Sequence, residues 1–249
     1  MPGVFFTKGM SLTLRDFRIS ITLDSSGESG NFSIDLRYDA CAAWLRAALQ
    51  QNEVAKASRV ARISAWSADD EEAKEKTLEV EFLASMQAIV AAATAIDALY
   101  AIIKEMSPLP VETSKAWAKN RTARERQVTE TFRFAFGFGP ESAEKAFDFF
   151  KTVYKFRSAA LHPTGKPSPP VFHPELNVST EWRFVAFRSI NADSIFCIAA
   201  STIWDLAHFE GKKLISTSNY IATLKVFLSE MFPNGRPQPA QIETSFWLP

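Results

Sequence analysis

The chain has few of the residues that interrupt helices or crosslink small domains. Its 249 residues include 9 glycines, 13 prolines and two cysteines, Cys41 and Cys197. Two cysteines exclude a disulfide-dense secreted scaffold and a four-cysteine zinc site, and they fit a reducing compartment or simple packing. Neither glycine nor proline occurs between Asn31 and Ser107, and so long an uninterrupted stretch favours long helices.

An excess of charge of either sign is also lacking, since 28 lysines and arginines balance 28 aspartates and glutamates. A net charge of zero argues against a surface covered throughout by nucleic acid, but it leaves local patches open. The first residues contain no basic region followed by an apolar run, so they do not resemble a signal peptide. The most apolar stretch, 86–103, is short for a membrane span and includes Gln87, Thr94 and Asp97. We therefore expect a cytoplasmic protein that does not enter a membrane.

Motifs for common cofactors and nucleophiles are missing. The sequence has no Gly-rich phosphate loop, dinucleotide fingerprint, nucleophile-elbow serine or zinc-protease helix. Its three histidines, His162, His173 and His208, supply all the imidazole for acid/base chemistry. A zinc site made by His162, His173 and Glu175 has an eleven-residue histidine spacing that matches no standard ligand pattern. We expect no cofactor and no metal ion, and we interpret His208 as a packed or surface histidine.

Hydrophobic periodicity predicts a mainly α protein, a bundle of five or six helices with an N-terminal β-hairpin packed on it. Apolar and polar residues alternate over 17–23 and again over 32–36, across a turn-rich segment. Two strands alone are marginally stable, so this hairpin is expected to pack on the helices or to find a third strand. The segment 182–188 is either that third strand or the start of a helix.

The strongest helical pattern lies in the middle of the glycine-free stretch. Its apolar residues alternate at spacings of four and three, which is typical of a bundle seam; they are Phe82, Met86, Ile89, Ala93, Ile96, Tyr100 and Ile103. Asp39 is a plausible N-cap for an earlier helix that ends near Trp66. Further helices are predicted over about 112–136, 140–161, 193–211 and 218–231.

These elements divide the chain into three parts. Residues 1–37 form the hairpin segment, and residues 38–232 form the helical bundle with a proline-rich, non-helical loop at 163–180. Residues 233–249 form a C-terminal tail. Because the tail ends in Phe246, Trp247 and Leu248, we expect it to dock on the body or on a partner.

One segment carries residues that suggest chemistry. In Tyr-Lys-Phe-Arg-Ser-Ala-Ala-Leu-His-Pro, Arg157 and His162 enclose four residues at the end of a predicted helix. Here the sequence resembles the HEPN superfamily (higher eukaryotes and prokaryotes nucleotide-binding), whose signature is an arginine, four to six residues and a histidine. The seam helix, with AIDALYAIIKE, also looks like the second helix of such domains, and together the resemblance covers roughly residues 71–211.

The resemblance implies a metal-independent endoribonuclease of a defence or toxin type that often works as a dimer with a composite site. It implies that His162 is the general acid/base and that Arg157 holds the scissile phosphate through two parallel hydrogen bonds. The residue after the motif arginine is commonly Asn, Asp or His in active members, and here it is Ser158. Ser158, Tyr154 and Lys155 are expected to be accessory binding residues.

Two further features bear on an RNA site. Asp97 lies in the seam, where it is either at the rim or paired with a cation such as Arg157, which it would then orient. His173 is the other candidate for such a supporting role, since the prolines after His162 and His173 could bring the two imidazoles together. The segment 115–133 has a local balance of +4, and its candidate RNA-binding residues are Arg121, Arg124 and Arg126.

Different classes of function remain open at this point. The first is a HEPN-like RNA-binding or RNA-cleaving protein, which we expect to form a homodimer and for which a protein partner or a cognate inhibitor is a further hypothesis. The second is a non-catalytic dimerisation or interaction module in which Arg157 lies along its helix and His162 caps the helix end. A third is a nucleotide or small-ligand binder that uses the groove beside Arg157.

Overall fold

Two long antiparallel helices form the frame of the protein in the computed structural model, which describes residues 10–15, 33–162, 168–209 and 215–238. Helix α1 is Ala40–Ala68 and helix α2 is Glu71–Met106. The Asp39 carboxylate accepts a hydrogen bond from the backbone N–H of Ala42 at 3.2 Å, which confirms the predicted N-cap. Asp69, in the left-handed conformation at φ 54°, ends α1, and Asp70 caps α2. The chain therefore reverses within two residues.

The predicted seam of α2 is its buried face. Ile89, Ala93, Ile96, Tyr100 and Ile103 are at most 2% exposed, as the four-three spacing predicts. The same helix is long and apolar enough, by length and composition, to cross a membrane, but more than half of its apolar window is buried inside the protein. This combination is typical of the core helix of a soluble bundle and is weak support for a membrane span.

The predicted helix over 112–136 is two helices. Helix α3 is Val111–Asn120 and helix α4 is Arg124–Phe136. Arg121 separates them, because its left-handed backbone (φ 50°) cannot continue a right-handed helix. The backbone N–H of Thr122 then bonds to the carbonyl of Trp117 at 3.0 Å, which closes α3.

The fifth helix is the one that carries the motif residues. Helix α5 is Pro140–Leu161, with proline in its first turn as predicted. His162 is its C-cap, and the His162 backbone N–H bonds to the Ser158 carbonyl at 2.9 Å. Phe150, Val153 and Phe156 pack into the core against α2, α4 and α7. The predicted end of this helix before Pro163 is confirmed.

The second half of the described chain contains a small hairpin and three helices: β3 Val171–His173, β4 Val178–Thr180, α6 Trp182–Ala186, α7 Ser189–His208 and α8 Ile215–Met231. Strands β3 and β4 are antiparallel, with Phe172 opposite Ser179. Segment 182–188 therefore starts a helix and is not a strand. Helix α7 begins four residues before the predicted cap Asp193, and it is buried along most of its length.

The expected fold class is wrong in its details. The described residues form eight helices, not five or six. The two-stranded element that packs on the helices is mid-chain, where β3 contacts α6 and Val171 packs against the core. The predicted pairing of 17–23 with 32–36 is not the one described: β1 (Met10–Arg15) pairs with β2 (Ser33–Tyr38), and residues 16–32 lie outside the described residues. The alternation of apolar and polar residues predicted extended strands, but it did not determine which strands pair, because strand pairing depends on residues distant in sequence.

The start of the C-terminal tail docks on the body. The Arg236 guanidinium makes two hydrogen bonds of 2.6 Å to the Asp205 carboxylate on α7, and Phe232 packs against the core near Trp204. The apolar residues Phe246, Trp247 and Leu248, on which the docking prediction rested, lie outside the described residues.

Candidate functional site

The carboxylate of Asp97 is the centre of a polar cluster between α2, α4 and α5. It accepts hydrogen bonds from Arg124 Nε at 2.7 Å and from the Tyr154 hydroxyl at 2.8 Å, both on Oδ1. Arg157 Nη1 lies 3.2 Å from Oδ2. The Asp97 side chain is 17% exposed, so it lies at the edge of the seam, and it also pairs with Arg157, the cation that was predicted for it. We call Asp97, Arg124, Tyr154 and Arg157 the open cluster.

The positive charge of the open cluster exceeds its negative charge. Two guanidinium groups share one carboxylate, which leaves a balance of +1. The Arg124 guanidinium also lies 4.1 Å from the centre of the Tyr100 ring, and the Lys104 ammonium lies 5.5 Å from the same centre. Cations over an aromatic face are held in position without being neutralised. The surplus charge is therefore available to an anion.

Arg157 is fixed but not enclosed. Its guanidinium lies 5.9 Å from the centre of the Tyr154 ring, and its side chain is 34% exposed. The Arg157 Nε atom is buried without a hydrogen-bond partner. Burial, together with the neighbouring Asp97 carboxylate, raises the pKa of Tyr154 above its ordinary value, so its hydroxyl remains a proton donor to Asp97.

The other motif residues lie on the solvent side of the end of α5. His162, Ser158 and Lys155 are all exposed. His162 follows Arg157 by five positions, which is more than one helical turn, so the two side chains leave the helix in different directions. The His162 imidazole is thus exposed to solvent, but it leaves the end of α5 on a different side from Arg157.

The three arginines predicted to bind RNA have different environments. Arg124 belongs to the open cluster, as described above. Arg126 is exposed, and its guanidinium lies 4.0 Å from the centre of the Phe147 ring on α5. Arg121 is exposed at the break between α3 and α4. All three side chains remain near solvent on one short stretch of chain.

A second ionic cluster, which the sequence analysis did not identify, lies inside the protein. Arg62 on α1 is 0% exposed, and its Nε donates to Glu81 Oε2 on α2 at 2.5 Å. Its Nη2 donates to Glu175, which follows β3. Arg59 also binds Glu175, at 2.9 Å, and Arg188 Nη1 is 4.0 Å from it. We call these five residues the interior cluster.

The interior cluster joins four elements of the fold. The second oxygen of Glu81 accepts a hydrogen bond from the backbone N–H of Ser189 at 3.0 Å, at the first residue of α7. Arg62 extends the buried stripe of α1, in which it stands seven residues after Ala55. The sequence did contain a signal for this cluster, since an arginine on the apolar stripe of a helix requires a buried carboxylate to face it.

His173 lies beside the interior cluster and not beside the motif. It is 0% exposed, and its Nδ1 accepts hydrogen bonds from the backbone N–H groups of Glu175 and Leu176, both at 3.2 Å. Burial, followed by the charges of Arg62 and Arg188, lowers the pKa of His173 to about 4. Glu81 of the interior cluster and Asp97 of the open cluster are about 24 Å apart along α2. Because His173 lies at the first cluster and Arg157 at the second, the prediction that His173 supports Arg157 is wrong.

The zinc site considered for His162, His173 and Glu175 is not present in the described part of the chain. That part contains no group of three or more His, Cys, Asp or Glu side chains that could hold a metal ion. Glu175 instead binds arginines, which hold its pKa below the ordinary value even though burial alone would raise it. His208 stacks on Trp204, with ring centres 4.3 Å apart, and is a packed histidine.

Comparison with known proteins adds no assignment. No family model matches the sequence, and neither the curated proteins nor the solved structures include a match to it. The two clusters and the surface of this chain are therefore the features that bear on its function.

Proposed function

We propose that this chain is a HEPN-like RNA-binding protein and a metal-independent endoribonuclease. In this proposal Arg157 binds the scissile phosphate and His162 is the general acid/base. One observation carries the proposal: Asp97 orients a guanidinium that keeps 34% of its side chain exposed, and an exposed histidine stands at the end of the same helix.

The charge of the open cluster fits a phosphate diester. Arg124 and Arg157 share one carboxylate, so a phosphate entering the cluster meets a net positive charge. A guanidinium that already has one fixed partner loses less side-chain freedom when it binds a second. Arg121 and Arg126, exposed nearby in sequence, would then contact the flanking phosphates.

The proposed reaction is transesterification by the ribose 2′-hydroxyl. His162 takes the proton from this hydroxyl, and the 2′-oxygen forms a bond to phosphorus while the bond to the 5′-oxygen breaks. The departing 5′-oxygen receives a proton, which leaves a cyclic 2′,3′-phosphate and a 5′-hydroxyl. Arg157 stabilises the charge that gathers on the phosphate oxygens. A dimer that joins two motifs would supply one imidazole for each proton transfer.

The test is cleavage of a labelled mixed-sequence RNA in the presence of EDTA. The wild type is compared with His162→Ala and Arg157→Ala, and all are purified identically. The matched control is Lys145→Ala, because Lys145 is an exposed cation on the same helix that pairs only weakly with Glu141. We expect cleavage by the wild type and the control, cyclic phosphate ends, and at least about a hundredfold loss in both motif variants.

Cleavage that requires a metal ion, or that is equal in all four proteins, would contradict the proposal. RNA binding without cleavage, weakened by Arg157→Ala but not by His162→Ala, would instead retain the RNA-binding part alone.

A second candidate function is a non-catalytic interaction module. It is favoured by two contacts: the guanidinium of Arg157 already has Asp97 as a partner, and the backbone of His162 already caps α5. Under this alternative neither RNA binding nor cleavage responds to the motif variants, and the exposed apolar surface of α1 and α2 is the functional region.

The cellular location and the control of this activity are part of the same proposal. A ribonuclease of a toxin or defence type would act in the cytoplasm and would need a cognate inhibitor or another control on its activity. Two buried free cysteines, Cys41 and Cys197, are compatible with a reducing compartment.

A further inference from the structure

We propose that two copies of this chain associate through α3 of one copy and an acidic apolar groove on the other. The groove lies at the start of α2 beside α6, and its lining residues are Glu75, Leu78, Glu79, Phe82, Leu83 and Phe184. The groove is remote from the open cluster, and the inference does not depend on RNA binding.

The groove combines an apolar floor with an acidic edge. The rings of Phe82 and Phe184 lie 4.9 Å apart, and Leu83 is 43% exposed. Glu75 and Glu79 are exposed and stand one helical turn apart, so their carboxylates form a row about 6 Å long. An occupant of matching chemistry is a helix with small apolar residues and a row of two cations at the same spacing.

Helix α3 has that chemistry. None of its residues is buried, so it is the helix with the least support from the rest of the described structure. Lys115 and Lys119 are exposed and also stand one turn apart. Between them and at the helix start, the exposed side includes Ala118 and Val111, the latter 61% exposed. Laid antiparallel on α2, Lys115 would face one glutamate of the groove and Lys119 the other.

The two surfaces cannot meet within one chain. Leu78 and Met106 are about 42 Å apart along α2, at 1.5 Å per residue. Four residues separate Met106 from α3, which is itself about 15 Å long, so α3 cannot return to the groove. A two-fold axis that sets the α2 helices of two copies antiparallel brings each α3 to the groove of the other copy. The same contact then forms twice and closes the assembly.

The test uses charge reversal in two variants. One variant carries Glu75→Lys and Glu79→Lys, and the other carries Lys115→Glu and Lys119→Glu. Sedimentation equilibrium of the wild type should show a monomer–dimer equilibrium at about 1–100 µM, the range of a small transient interface. Each variant alone places like charges across both contacts, and we expect its dimer to dissociate at least about tenfold more readily.

The mixture of the two variants is the decisive measurement. The first variant has lysines in both the groove and α3, and the second has glutamates in both, so a heterodimer has opposite charges at both contacts. We expect the mixture to dimerise about as tightly as the wild type. Charge-matched controls are Glu141→Lys with Glu144→Lys, and Lys145→Glu with Lys151→Glu, all at exposed positions of α5; these should leave the equilibrium unchanged.

Three results would overturn the inference. The first is a wild type that remains monomeric at about 500 µM, well above the range of small interfaces. The second is a dimer that survives both reversals, which would place the contact on another face. The third is a mixture that stays monomeric although both variants retain the thermal unfolding midpoint of the wild type.

Discussion

The open cluster and the interior cluster contain the same kinds of side chain in opposite settings. Each pairs arginines with a carboxylate on α2, which is Glu81 in the interior cluster and Asp97 in the open cluster. In the interior cluster Arg62 is 0% and Glu81 is 2% exposed, whereas in the open cluster Arg124 and Arg157 have side chains 41% and 34% exposed. Burial makes the first pairing obligatory, because an unpaired interior charge is strongly destabilising. The second pairing can exchange a partner with solvent or a ligand.

The difference in burial indicates a structural role for the interior cluster and a candidate binding role for the open cluster. The interior cluster holds α1, α2, the hairpin β3–β4 and the start of α7 in one arrangement, and its central pair, Arg62 and Glu81, is closed to a substrate. The open cluster holds a guanidinium in position and leaves it accessible. Mutations in the interior cluster should therefore change the free energy of unfolding. Under the proposed function, mutations in the open cluster should change RNA binding and cleavage.

The largest effect is expected from Glu81→Gln. This change removes one of the two carboxylates that pair with the buried Arg62 and weakens the hydrogen bond that begins α7. We expect the free energy of unfolding to fall by about 3–5 kcal/mol, measured by urea denaturation. The control Glu144→Gln, at an exposed position of α5, should stay within about 0.5 kcal/mol of the wild type. Equal effects of the two changes would show that the interior cluster is not a structural requirement.

Acidification is expected to have a smaller effect on the free energy of unfolding, because His173 binds a proton more readily in the unfolded chain. Its pKa is about 4 in the folded protein and 6.5 in the unfolded chain, so the unfolded chain binds more protons at this residue between those values. Stability therefore falls as the pH falls from 6.5 to 4, by about 2–3 kcal/mol. The depressed pKa of Glu175 acts in the same direction at the acidic end.

The measurement for His173 is the urea midpoint of the wild type and of His173→Gln from pH 7 to pH 4. The variant should begin less stable at pH 7 but lose about 2–3 kcal/mol less on acidification. His208→Gln, a change to the packed histidine on Trp204, is the control and should keep the wild-type slope. Parallel slopes for the wild type and His173→Gln would contradict the assignment.

The corresponding change in the open cluster, Asp97→Asn, should affect stability less and function more. The amide retains an acceptor oxygen for Arg124 and Tyr154 but removes the charge that orients Arg157. We expect the free energy of unfolding to fall by only about 1–2 kcal/mol. RNA cleavage should fall about tenfold, because Arg157 loses its fixed position, while RNA affinity should not weaken since the net charge rises. A loss of stability as large as that of Glu81→Gln would remove the distinction between the clusters.

The smallest effect on stability is expected from His162→Ala. Its side chain is exposed, and the helix end is capped by its backbone N–H, which alanine keeps. The free energy of unfolding should change by less than about 0.5 kcal/mol, while cleavage under the proposed function is lost. A stability change above about 1 kcal/mol would indicate that the imidazole has a structural role at the end of α5.

The elements predicted from the sequence were those with strong local signals. The four-three spacing of apolar residues located the buried face of α2, the Asp39 cap located the start of α1, and Pro140 and Pro163 bracketed α5. The division of 112–136 into α3 and α4 had no such signal, because Arg121 is an ordinary helix former that here adopts a left-handed backbone. The hairpin β3–β4 lay in a segment that its prolines marked only as non-helical.

The candidate site was partly accessible to sequence reasoning. Arg157 and His162 were found because they are close in sequence, and the pairing of Asp97 with Arg157 was one of two alternatives that a carboxylate in a seam allows. The role of Tyr154 as a donor to Asp97 and the stacking of Arg124 on Tyr100 were not foreseen. These contacts join residues from three helices whose rotations about their own axes are fixed by packing.

Patterns within one or two helical turns were enough to establish a long-helix protein, its main seam and the segment that carries the motif. They reflect backbone preferences and amphipathicity, which are local properties. The interior cluster depended on the folded arrangement, because Glu175 meets Arg62 across more than a hundred residues of chain. Whether an arginine is buried with its carboxylate or left exposed beside one is a property of the packed helices, and this burial separates the structural cluster from the candidate site.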